Sequence, residues 1–155
     1  MIGAWRVGAA VAGVGLLLGI AIVAEAQTAP GQVIKQRQEL MKANGAAAAA
    51  LVKMMRGEQP YNQAAAHQAA VTINNNSKQI PNLFPPGSGP EAGVKTGALP
   101  AIWQNMADFD AKAKALEEQS AKLVEAGDEA AVKAQFGNVG KACGACHQNY
   151  RAKEK

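Results

Sequence analysis

The sequence predicts an all-α protein, an antiparallel four-helix bundle, on three observations. Apolar residues recur at alternating spacings of four and three along four separate stretches. Alanine is abundant, aromatics make up 5% of the chain, and no long β-branched run occurs, which favours helix over strand. The four stretches are set apart by glycine- and proline-bearing segments that cannot continue a helix.

The first helix is expected over residues 31–56. Ile34, Met41, Ala48 and Met55 form its stripe, with Val33, Leu40 and Leu51 beside them. Ala46 to Ala50 form a run of alanines that favours helix and lets a neighbouring helix or flat group approach closely. Gly57 and Pro60 end the helix. The second should start at Asn62 as N-cap and end near Ile80, with Ala66, Ala70, Ile73, Ser77 and Ile80 facing inward. Asn74-Asn75-Asn76 is its weak point, because asparagine side chains compete for backbone hydrogen bonds. Residues 81–100 carry Pro85-Pro86-Gly87-Ser88-Gly89-Pro90 and read as a long crossover. The third helix is expected over residues 101–126, on Ile102, Met106, Phe109, Ala113, Leu116, Ser120 and Leu123. Gly127 stops it and Asp128 caps the fourth, whose stripe is Val132, Phe136, Val139, Cys143, Cys146 and Tyr150.

That last stripe carries the chemistry. Cys143-Gly144-Ala145-Cys146-His147 is C-x-x-C-H, the attachment signature of c-type haem. Each thiol adds to one haem vinyl group, and the two small residues between them let both sulfurs reach the same porphyrin edge. The histidine that follows falls beneath the iron and supplies an axial nitrogen. The competing reading is a thiol–disulfide redox pair, which typically sits by a βαβ pattern. No β pattern surrounds this pair, and these are the only two cysteines in the chain.

Haem attachment of this kind needs export. Residues 1–26 read as a signal peptide: Arg6 gives a thin positive start, residues 7–23 are apolar, and Ala24-Glu25-Ala26 is a small-x-small cleavage site. The alternative is an uncleaved anchor, since the apolar run is about long enough to span a bilayer. Cleavage leaves residues 27–155 as one domain in the periplasm, without a membrane anchor. The net charge is +4, with 16 Lys and Arg scattered among 12 Asp and Glu, which does not point to nucleic acid.

A helical chain with C-x-x-C-H near its C-terminal end resembles the class II c-type cytochromes, the cytochrome c′ family. Local marks of the resemblance are Arg37-Gln38 with Leu40-Met41-Lys42, Gly57 to Tyr61, Ile102-Trp103, and Lys141 to Arg151. Cytochromes c′ are themselves familiar four-helix bundles. The resemblance implies one haem c anchored by Cys143 and Cys146, His147 as proximal iron ligand, and Arg37 near the haem propionates. Arg37 as a solvated helix residue is the alternative. It also places Met41 on the other side of the iron. Both outcomes for residue 41 occur in the family: a low-spin branch ligates this methionine, and the cytochromes c′ proper leave the iron five-coordinate beneath an apolar residue. The setting Leu40-Met41-Lys42 with Asn44-Gly45 looks like the low-spin branch. On the residues alone, Met41 could equally be core filler.

The function expected is therefore electron transport by a periplasmic carrier, not an enzyme. Its partners would be redox proteins of a respiratory or photosynthetic chain, and family members often form homodimers through their first two helices. The alternative function is a high-spin protein that binds nitric oxide or carbon monoxide. Met54, Met55 and Met106 read as core, and His67 as a surface histidine. Trp103 is expected against a haem edge or a bundle end, with its indole N–H partnered.

Overall fold

The computed structural model describes residues 29–153, so the expected signal peptide lies outside the described residues. α1 (Pro30–Met55) opens with proline in its first turn, where a missing N–H costs nothing. It closes where Gly57 predicts. Gly57 takes φ 71°, its N–H donates to Met54 O at 3.1 Å, and that of Glu58 donates to Lys53 O at 2.9 Å. This paired closure is a Schellman turn, which requires a left-handed residue.

α2 (Gln63–Ser77) is capped by Asn62, whose Oδ1 accepts from the Ala65 N–H at 2.8 Å. All five inward residues of its predicted stripe are buried, although the helix itself stops at Ser77 and Ile80–Leu83 follows as a 3-10 turn. The asparagine run stays helical because its side chains find partners on other helices. Asn74 Nδ2 donates to Glu117 O at 3.0 Å and to Ser120 Oγ at 3.1 Å, and Asn76 Nδ2 donates to Asn44 Oδ1 at 2.9 Å.

The predicted third helix is two: α3 (Ala101–Gln104) and α4 (Met106–Val124). Asn105, at φ −137° and ψ 46°, makes the break. The break costs few hydrogen bonds: the Asn105 N–H still reaches Ala101 O at 3.1 Å, and its carbonyl accepts from Phe109 N at 3.0 Å. The apolar stripe runs on across the break, with Ile102, Phe109, Ala113, Leu116, Ser120 and Leu123 buried. A short turn leads to α5 (Glu129–Tyr150), capped by Asp128 through the Ala131 N–H at 2.8 Å.

α1, α2, α4 and α5 form the antiparallel four-helix bundle. α1 packs on α2, α2 on α4, and α4 on α5. The α2–α4 seam contains a buried polar lock in which Ser77 Oγ and Ser120 Oγ lie 3.3 Å apart beside Asn74. No comparably close backbone packing joins α1 to α5. They are joined by the crossover instead. It holds α1 at one end, and at the other forms an antiparallel bridge between Ala98 and Arg151, just past α5. Among the described residues, no helix is long and apolar enough to cross a membrane.

Candidate haem site

Three quarters of the way along α5, Cys143 and Cys146 stand half-buried on its inward side, packed against the core cluster. They form no disulfide with each other. Burial pushes both thiols above their ordinary value, Cys146 to about 11. They also lie far from the N-terminus of α5, the place where a helix activates a thiolate. The half-burial of the pair against the core cluster fits thioether bonds to an apolar porphyrin edge. His147, also half-buried, is held below its ordinary value by burial and then by nearby Arg151. Neutral imidazole is the form that binds iron. Among the described residues, no group of three or more His, Cys, Asp or Glu could hold a metal ion.

The small residue at position 144 belongs to a longer feature of α5. Gly137, Gly140 and Gly144 fall at i, i+3 and i+7, in register with His147 and Arg151. A Cβ added at any of the three would meet nothing within 4 Å. Each glycine costs helix stability relative to alanine, about 0.5–1 kcal/mol. Gly137 and Gly140 are exposed to solvent, and half-buried Gly144 leaves open space on the turn before His147. In the sequence this spacing reads G-x-x-G-x-x-x-G-x-x-H, off the apolar stripe.

On α1, Met41 is half-buried and packs against the same core cluster as Cys143 and Cys146. Leu40 beside it is buried. Met54 lies in the core with Met55 and Met106 packed on it, and His67 is exposed. Trp103 packs at the bundle end near Phe84, and its Nε1–H donates to Phe84 O and Pro85 O at 3.1 Å each.

Arg37 is not the solvated residue that was one alternative. It is only 4% exposed, one turn before Met41. Nη1 donates to Ser88 Oγ at 3.0 Å and Leu83 O at 3.4 Å, and Nη2 donates to Ser88 O at 2.7 Å and Thr96 Oγ1 at 2.8 Å. Its guanidinium also lies over the Phe84 ring, 4.7 Å from the centroid. Of its five N–H donors, the four on Nη1 and Nη2 can serve the crossover, which leaves Nε–H for any other partner. Desolvation lowers its pKa, and the charge of Glu91 opposes that shift.

Comparison with known proteins agrees with this frame. The family described as Cytochrome C' matches residues 32–151. A cytochrome c-556 from Agrobacterium tumefaciens (strain II Chrys) is 40% identical over 123 residues, covering 78% of this chain and 98% of that protein. The structure of cytochrome c′ from Rhodopseudomonas palustris superposes with a TM-score of 0.75 at 35% identity, covering 83% of this chain and 100% of that one. A nitric oxide complex of a mutant cytochrome c prime from Alcaligenes xylosoxidans gives 0.73 at 28% identity, over 83% and 99% of the two chains. The matched span holds the thiol pair, its histidine and the four bundle helices but for the first two residues of α1, and the chain belongs to the cytochrome c′ family, whose members carry one covalent haem c.

Proposed function

We propose that this chain is a periplasmic monohaem electron carrier in which Cys143 and Cys146 anchor the haem, His147 is the proximal ligand and Met41 the distal one. When bound, the haem supplies a one-electron iron couple. The protein's part is to hold fixed ligands in an apolar bundle, so that little moves when the charge changes. The observation that carries the reading is the placement of Met41: a half-buried thioether on α1, packed on the core cluster that also takes both cysteines. Thioether together with imidazole raises the reduction potential of haem iron. The free Nε–H of Arg37 would serve a propionate. Residues 1–26 would be removed on export, and the partners would be redox proteins of a respiratory or photosynthetic chain.

A second reading has a specific observation in its favour: the Alcaligenes xylosoxidans relative was solved as a nitric oxide complex. If Met41 only packs, the iron is five-coordinate and the protein binds small diatomic ligands. The absorption spectrum of the purified oxidised protein separates the two. The proposal expects low-spin iron that does not take up carbon monoxide readily on reduction. High-spin iron and ready carbon monoxide binding would hand the function to the second reading.

A further inference from the structure

The two helices proposed to face the iron from opposite sides, α1 and α5, approach each other less closely along their backbones than do α1 and α2, α2 and α4, or α4 and α5. Both are instead tied to the same segment. At the α1 end, Arg37 makes its four hydrogen bonds to Leu83, Ser88 and Thr96, and Gln38 Nε2 donates to Lys95 O at 2.9 Å. At the α5 end, the Leu99 N–H donates to Tyr150 O at 3.0 Å and the Ala152 N–H to Gly97 O at 2.8 Å. Tyr150 lies three residues past His147, and Arg37 lies four residues before Met41.

The segment between these anchors is stiffened from within. Ser88 is fully buried, and its Oγ donates to Pro85 O at 2.8 Å while accepting from Arg37. Thr96 Oγ1 accepts from Arg37 and from the Ala98 N–H at 3.2 Å, so one hydroxyl links the α1 anchor to the bridge strand. Arg37 forms no ion pair among the described residues; hydrogen bonds and aromatic faces meet its charge. A buried guanidinium bonded in this way is a rigid, directional fixture that lysine cannot copy.

We infer that residues 83–99 are a strap that sets the separation of α1 and α5, and that Arg37 is the positioning residue that transmits this setting to residue 41. The inference rests on the proposed placement of residue 41 opposite His147. The strap decides how far α1 can swing from α5, and so how much room residue 41 would leave for a small ligand once the haem is bound. Losing the Arg37 bonds lengthens the tether, and the open population of α1 grows.

The test uses the haem-loaded protein and two readouts, amide hydrogen exchange at Leu99 and Ala152 and the association rate of carbon monoxide with the reduced form. Arg37→Gln should speed exchange at both distant amides and raise the association rate by roughly tenfold, as expected when a minor open state becomes more populated. Asn74→Ala, which damages the α2–α4 lock without touching the strap, should leave both readouts near the parent values at matched loss of stability. Thr96→Val, which removes one anchor bond and leaves Arg37 in place for a propionate, should shift both readouts in the same direction, less strongly. Unchanged exchange at Leu99 and Ala152, an unchanged association rate, or equal shifts in Asn74→Ala would overturn the strap. High-spin iron in the unmodified protein, with these couplings intact, would instead defeat Met41 ligation and leave the strap standing.

Discussion

The two long sides of the bundle are built differently. On the α2–α4 side the helices touch directly, and a fully satisfied polar lock of Asn74, Ser77 and Ser120 fixes their register. On the α1–α5 side the helices are held by a loop, and that side bears Cys143, Cys146, His147 and Met41. Direct packing gives a rigid seam whose energy comes from close contact. The strapped side instead joins its helices through hydrogen bonds to the crossover. The frame and the site are thus separable, and substitutions should sort by side.

The largest effect should come from the strapped side. Cys143→Ala or Cys146→Ala should leave the haem without its covalent hold and sharply reduce the folded protein recovered, because the cofactor completes that half of the core. Extraction with acidified acetone reads attachment: the parent should retain its haem, and free release from the parent would contradict covalent linkage.

Next in size is a cavity on the closed side. Ile73 on α2 is 2% exposed, and Ile73→Ala should cost about 2–5 kcal/mol of stability. The absorption spectrum of the folded fraction should stay as in the parent. A changed spectrum at small stability loss would show that the two sides are not separable.

The smallest effect sits at the α4–α5 joint. Tyr150 OH donates to Asp108 Oδ2 at 2.5 Å, and Lys112 donates to Asp108 Oδ1 at 2.8 Å. Hydrogen bonds from Lys112 and then Tyr150 hold the Asp108 carboxyl below its usual range. A depressed carboxylate contributes stability that is present above its unfolded pKa, about 3.9, and is lost as pH falls through the folded value. The same bond, with burial second, pushes Tyr150 up to about 12. That contribution is whole below the ordinary tyrosine value and is lost as pH rises through the raised one. Tyr150→Phe should therefore be less stable than the parent at pH 6, and the gap should narrow below pH 4 and again in strong alkali, read by chemical denaturation. A gap that is constant with pH would mean the two groups are not coupled.

The closed side was legible in the sequence almost residue by residue. Helix periodicity names buried positions wherever one helix meets another, as Ala66, Ala70, Ile73 and Ser77 show. The haem motif was legible because its chemistry fixes both residue type and spacing. The strap was not. Its anchors are contacts between residues 46 to 59 positions apart in sequence, and no local pattern encodes such distances. Arg37 on an apolar stripe was the available hint, since a charged residue there must find partners at depth. The break at Asn105 escaped for the opposite reason: the stripe continues through it, so periodicity alone sees one helix.

The account stands on residue 41 facing His147, and the absorption spectrum of the parent beside that of Met41→Ala tests it most directly. The parent should be low-spin and slow to bind carbon monoxide. Met41→Ala should fold, at a cost of about 2–5 kcal/mol, turn high-spin, take up carbon monoxide and show a lower reduction potential, because the iron has lost a ligand that favours its reduced state. Two high-spin spectra that match, with equal carbon monoxide binding, would contradict it.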